Sequence, residues 1–333
     1  MLLQEQIIKW GKMSPTTHNI LAQAAPLRLA NTKRNIPLKR SPSHTRWWCV
    51  VLLQLMLGIC VGFSVVSSAS AEMQLIGSLI DQQGKPTAAL SELLALTDVP
   101  AVDNFNDLVR QTQAYWSQKG KERWEFDPRF EARRAQLMPV LRRLNVVDAI
   151  RAEEKHYRYG LVHGAIASAV ARRLDFLVEE WRHGVRFDEI VFVTGQRRLD
   201  PALEKTFIDT GLKTEPEMMQ YLWKSKALPA ALKRLPLKIA NALPVRSPDG
   251  QLKRPQTKDA IQAWLASNPQ PAKAVFISNQ PHVGYQHAVA EATMPEQFDF
   301  ETIGPAASDK TKISVCLDAI ARWLYQESLK RQQ

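Results

Sequence analysis

The sequence predicts an α/β protein: a three-layer sandwich around a mainly parallel sheet over residues 151–333, preceded by a helical segment and an N-terminal signal or anchor helix. Three observations predict it. From Tyr157 onward, short apolar runs alternate with amphipathic patterns of helical period, as strands joined by crossover helices require. The run EIVFVTG (189–195) lacks the polar alternation of a strand with one wet face, so it is buried on both faces. The stretch from Trp47 to Val66 is nearly all apolar and follows a basic segment.

The N-terminal elements come first. Residues 1–46 are a basic cytoplasmic or leader segment, and 47–71 carry the signal-peptide apolar region or a transmembrane anchor. A spanning helix needs about 20 apolar residues, and 47–66 supplies them. No acid lies between Glu5 and Glu72, so the N-terminal side is expected to stay in the cytoplasm. Ala69 and Ala71 form an A-x-A pattern suited to signal peptidase. Two outcomes stay open: a single-pass inner-membrane protein with its N-terminus inside and a periplasmic body, or a periplasmic or secreted protein after cleavage following Ala71. In the first, the inner membrane is a partner through residues 47–66.

Charge and cysteine usage narrow the class. Residues 1–71 contribute +7 of the net +11, which leaves +4 for the body, too little to call for nucleic acid. Cys49 and Cys60 fall in the apolar run, and Cys316 alone remains in the body, so no internal disulfide is expected there. Ile59 before Cys60 disfavours a lipoprotein anchor.

Residues 72–150 predict helices at MQLIGSLI, LSELLALT, FNDLVRQTQAYW and FEARRAQLMPVLRRLNVVDAI, with breaks at Pro86, Pro100 and Pro128. Trp116, Trp124, Phe126 and Phe130 read as core anchors. The α/β part, 151–333, begins with a strand at YRYGLVHGA and a helix that puts Ile166, Val170, Leu174, Leu177 and Trp181 on one face and ends at Gly184. After EIVFVTG come a helix at TEPEMMQYLWKS, a strand at LKIANALPV and a helix at TKDAIQAWLAS. A strand at AVFISN, a helix at YQHAVAEATM and a strand at FDFETIG follow. The last helix, KISVCLDAIARWLYQESL, lines up Ile313, Leu317, Ile320 and Leu324.

In such a fold, ligands bind beyond the carboxyl ends of the strands, where helix N-termini favour anions. Three polar clusters fall there: His163 and Gly164; Thr194, Gly195, Arg197 and Arg198; and Ser278, Asn279 and His282. Arg197 and Arg198 either clamp a phosphate or carboxylate, or are solvated loop arginines with one paired to Asp200. Thr214 and Glu217 have capping-box spacing, with Pro216 in the first turn, so Glu215 is the carboxylate left for chemistry. Thr257 reads as the cap of its helix and as a hydroxyl that can face a ligand. His282, between Pro281 and Gly284, is the candidate proton carrier, with Glu215 as its acidic counterpart. No His-x-x-x-His pair suggests a metal, no Walker loop or G-x-G-x-x-G occurs in its required context, and the sequence assigns no cofactor. The proline-rich stretch 226–258, basic through residues that include Lys253, Arg254 and Lys258, reads as a surface excursion, either a lid over an anionic ligand or a solvated charge run.

The order of these motifs resembles the YdcF/SanA/ElyC family of bacterial envelope-associated domains over about residues 157–325. The matching features are LVHGA after the first strand, Thr194-Gly195 after the second, Glu215 with Met219, Thr257 in a helix start, and Ser278 with His282 four residues on. Tyr285 stands where that family has Arg, and Gln196 where it has a second Gly. The resemblance implies a Rossmann-like fold and a setting in envelope barrier, peptidoglycan or lipid-carrier metabolism, with an anionic, nucleotide-like small molecule as ligand. The expectation is therefore a domain that binds a phosphorylated or otherwise anionic envelope ligand, with or without acid–base chemistry. The alternative is a non-catalytic envelope scaffold whose segment 72–150 binds a partner.

Overall fold

The computed structural model describes residues 75–118, 127–247 and 250–332. The apolar run 47–66, and Trp124 and Phe126, lie outside them. Among the described residues no helix is long and apolar enough to cross a membrane.

The helical segment is shorter and more broken than its periodicity suggests. Leu75 and Ile76 are helical, residues 77–79 form a turn, and Ile80 forms an isolated bridge with Pro86 around Gly84 at φ +81. Helix α1 (Ala88–Leu96) starts where the Thr87 hydroxyl accepts from the Leu90 N–H at 3.2 Å. Helix α2 (Phe105–Tyr115) starts at Asn104, whose side chain accepts from the Asp107 N–H at 2.9 Å. A 3₁₀ turn (Pro128–Arg133) leads into α3 (Arg134–Arg143). The expected helix continues on paper to Ile150. It stops at Arg143, because Asn145 takes φ 56 and Ile150 pairs with Gly304 at the sheet edge. Trp116 and Phe130 are buried as core anchors, and the Trp116 Nε1–H donates to the Thr97 hydroxyl at 3.1 Å.

The sheet begins with β1 (His156–His163), followed by α4 (Ala167–Arg182) and β2 (Arg186–Gly195). Gly184, at φ +93, ends α4 as expected. Two short helices, α5 (Lys205–Asp209) and α7 (Ala230–Lys233), flank α6 (Glu215–Ser225). Strand β3 (Leu237–Ala242) follows, then a two-residue hairpin of β4 (Val245–Arg246) and β5 (Leu252–Lys253). The stretch 226–258 is thus only partly a surface excursion, since β3 within it is a sheet strand. Helix α8 (Thr257–Leu265), β6 (Ala274–Ile277), α9 (Val283–Glu291), β7 (Phe300–Ile303) and α10 (Ile313–Lys330) complete the chain.

The five long strands form one sheet in the order β3-β2-β1-β6-β7, every neighbouring pair parallel. Chain order reverses between β1 and β6, which makes that point the topological switch. Both faces are covered. Val170, Leu174, Met219 and Trp223 from α4 and α6 pack with Ile190, Phe192 and Val275 on one side. Ile261, Trp264 and Val289 from α8 and α9 pack with Val191, Val193 and Phe276 on the other. Two-sided burial explains why β2 shows no alternation. Helix α10 shares a third core with the helical segment, where Leu317, Ile320 and Trp323 meet Leu90, Leu108 and Leu137.

Candidate functional site

The carboxyl end of β1 is fixed from below by a buried cation. Arg173 of α4 donates to the carbonyls of His163 (2.7 Å) and Gly164 (2.9 Å) and to the Asn279 Oδ1 (2.9 Å). One guanidinium therefore ties the ends of β1 and β6 together. The His163 side chain is 2% exposed, and its ring stacks on Phe276 at 5.2 Å between centroids. Burial, and secondarily the Arg173 charge, lowers its pKa to about 3, so the ring is neutral at physiological pH. Its Nε2 is buried without a hydrogen-bond partner.

Next to it lies a buried charge network. Glu215, 5% exposed at the start of α6, accepts from the Thr194 hydroxyl through Oε1 at 2.7 Å and from the Arg197 Nε–H through Oε2 at 2.9 Å. The Arg197 Nη atoms donate to Glu204 at 2.6 and 2.9 Å and to the carbonyls of Arg198 and Ala165, both at 3.0 Å. All five guanidinium N–H groups are thereby used. Arg197 is neither an anion clamp nor a solvated loop arginine. It is the counter-ion of two buried carboxylates, because the chain turns inward after Gly195 and leaves its charge no water. Burial alone would raise the Glu204 pKa, but the hydrogen bond from Arg197 and the backbone N–H groups of Asp200 and Ala167 hold it below the usual range.

The opposite wall comes from α8, α9 and α10. Gln256, not Thr257, caps α8: it forms the capping box with Asp259, whose carboxylate accepts from the Gln256 N–H at 2.7 Å. Thr257 sits one place later, in the first turn. Together these elements enclose a cleft of about 230 Å³ lined by His163, Gly164, Thr194, Gly195, Glu215, Arg254, Gln256, Thr257, Tyr285, Gln286 and Arg322. The Arg322 Nε–H donates to Asp318 at 2.6 Å, and Asp318 also accepts from the Gln118 N–H at 2.9 Å. The cleft thus brings together a neutral imidazole, a charge-paired carboxylate, two arginines, two primary amides and a helix N-terminus.

Of the residues singled out from sequence, His163, Gly164, Thr194, Gly195, Glu215 and Thr257 line this cleft. Ser278 and Asn279 are buried behind it: the Ser278 hydroxyl donates to the Gln286 Oε1, and Asn279 holds Arg173. They position lining residues rather than line the cleft. His282 is half-buried at the N-cap of α9, with its N–H on the Asn279 carbonyl at 2.9 Å, and lies outside the lining. Arg198 is exposed on a neighbouring groove. Thr214 and Glu217 form the expected capping box, the carboxylate accepting from the Thr214 N–H at 2.9 Å. Arg254, from the basic stretch 226–258, also lines the cleft, while sequence reasoning missed Gln256, Gln286 and Arg322 as lining residues. The signal for Arg322 was present, since it is a charge between Ala321 and Trp323 in an otherwise apolar helical stretch. Among the described residues no cluster of three His, Cys, Asp or Glu side chains could hold a metal ion.

No family model matches the chain, and neither a curated protein nor a solved structure matches it. Fold and cleft define the class alone: an α/β protein with a five-stranded parallel sheet, helices on both faces and a polar cleft at the carboxyl edge.

Proposed function

We propose that this cleft binds a small phosphorylated or otherwise anionic molecule of the cell envelope that also carries a hydroxyl group. The observation that carries the reading is His163. A polar side chain 2% exposed, with Nε2 unpartnered, lines a cleft that also receives the N-terminus of α8 and the side chains of Arg254 and Arg322. Buried polar atoms are nearly always satisfied, so an orphan in a cleft wall points to a ligand atom. The anionic group lies against the first N–H groups of α8 and the arginines. The hydroxyl donates to Glu215, whose orientation is fixed by Thr194 and Arg197. A carboxylate so held can take a proton from a bound hydroxyl, which is the acid–base role expected of it. His163 supports it as a neutral hydrogen-bonding group and takes the place in the cleft that sequence reasoning gave to His282. The envelope setting is supported by the apolar run 47–66 and by the motif order shared with the YdcF/SanA/ElyC family.

The test is a thermal-shift and titration series on the full-length chain with inorganic phosphate, sugar phosphates, nucleotides and sugar nucleotides. A ligand present at 100 times its Kd stabilises by about 2.7 kcal/mol, enough to raise Tm measurably. Arg322→Gln and Glu215→Gln should each weaken that response. Absence of a shift with every compound defeats the binding proposal and favours the non-catalytic scaffold.

A further inference from the structure

We propose that the ligand of the cleft is amphiphilic, and that its apolar chain lies in the groove beside the cleft, between α5 and the β4–β5 hairpin. The inference rests on the anion site proposed above and specifies what that anion is attached to.

Three observations point this way. First, the cleft measures about 230 Å³, below the roughly 300–1,000 Å³ of a site that encloses a whole small molecule. It has room for a head group, and a ligand larger than that extends out of it. Second, a groove of about 940 Å³ adjoins it, and Arg254 lines both. Its walls include Ile208, Leu212, Pro244 and Leu252. Leu252, on the hairpin wall of the groove, is 59% exposed. Ile208, Leu212, Pro244 and Leu252 line one groove together, where a solitary exposed leucine would need no explanation. Third, the charge is one-sided. Arg198, Lys213 and Arg254 are exposed along the groove. Among the described residues its one lining carboxylate, Asp200, already accepts from the backbone N–H groups of Ala202 and Leu203, at 2.8 and 3.1 Å. Apolar walls under a cationic margin suit a chain that ends in an anion. The polar cleft at one end supplies the place for that anion.

The probes are inorganic phosphate and methyl, butyl, hexyl and octyl phosphate, titrated into the full-length chain in phosphatidylcholine nanodiscs, with empty nanodiscs as the blank. Burying one methylene tightens binding by up to about fourfold. The proposal expects octyl phosphate to bind at least about tenfold more tightly than methyl phosphate. Leu252→Asp, at an exposed hairpin position, should abolish the chain-length dependence, with methyl phosphate binding as the internal control for a folded site. Leu252→Ile should retain it. Equal affinity for methyl and octyl phosphate overturns the amphiphile proposal and leaves the anion site standing. So does chain-length dependence that survives in Leu252→Asp. If neither phosphate nor any alkyl phosphate binds, the anion site fails and this proposal fails with it.

Discussion

Gly164 makes room for the Glu215 carboxylate: a Cβ at residue 164 would lie 2.0 Å from the Glu215 Oε1 and 2.9 Å from the Thr194 Oγ1. The glycine is there to let a carboxylate reach the end of β1, not to allow an unusual turn. Gly164→Ala must push Glu215 off Thr194 and Arg197. Overpacking of this kind destabilises by about 1–3 kcal/mol. Urea unfolding should show a loss in that range, and phosphate titration should show a larger loss of binding than the stability change alone explains. Full binding by Gly164→Ala would mean that Glu215 has no part in the site.

Arg197 offers a test of the buried network. Its side chain is 8% exposed, and the Glu204 and Glu215 side chains it joins are 0% and 7% exposed. Arg197→Met leaves two carboxylates buried and close together without a cation, a change that costs about 3–5 kcal/mol. The triple variant Arg197→Met/Glu204→Gln/Glu215→Gln removes the stranded charges as well. It should unfold at a higher urea concentration than the single variant, despite its two further substitutions. A triple variant less stable than the single one would show that shape, not charge, dominates the network.

Particular residues show what the sequence could reveal. Strands β2 and β6 were legible because two-sided burial writes itself as unbroken apolar runs. Glu215 was legible by subtraction, since Thr214 and Glu217 account for the cap and leave it over. Arg197 was seen but misread. Its partner Glu204 lies seven residues on, in a stretch with no periodic pattern, so nothing in the order of residues marks the pair as buried. Arg254 was legible only as one cation of a basic stretch and Arg322 was not singled out, because the cleft is assembled from a hairpin arm and the last helix, which meet only through the third dimension. Periodicity also overextended the helix that ends at Arg143, where a left-handed Asn145 and a tertiary bridge to Gly304 override local preference.

The pH dependence of stability should carry the signature of His163. Its folded pKa of about 3 lies below the unfolded value near 6.5. Between those limits the unfolded chain binds a proton that the folded chain refuses. Stability is therefore fully present above about pH 6.5 and falls as pH drops toward 3, by up to roughly 1.4 kcal/mol per unit from this one ring. Glu204, whose folded pKa is depressed, adds a loss of the same sign only below its ordinary range near 4.5. Urea unfolding at pH 7 and pH 5 separates the two. His163→Gln should flatten the change between those pH values. An unaltered slope in His163→Gln would place the titration on another group.

Cys316 provides a probe of the helical layer. The residue sits in α10, 1% exposed among Leu317, Ile320 and the helices of segment 75–150, and burial pushes its thiol pKa up to about 12. Alkylation needs the thiolate, and at pH 8 a thiol with that pKa is ionised to only about one part in ten thousand. Burial adds a second barrier, since the reagent cannot reach the sulfur. Iodoacetamide at pH 8 should therefore leave Cys316 unmodified in the folded full-length chain and modify it readily in urea, with peptide mass mapping to distinguish it from Cys49 and Cys60. Phe130 belongs to the same buried core. Phe130→Ser should loosen that core and raise the rate of Cys316 labelling under native conditions. Rapid labelling of the wild-type chain would mean that the segment before β1 does not cover α10 in solution.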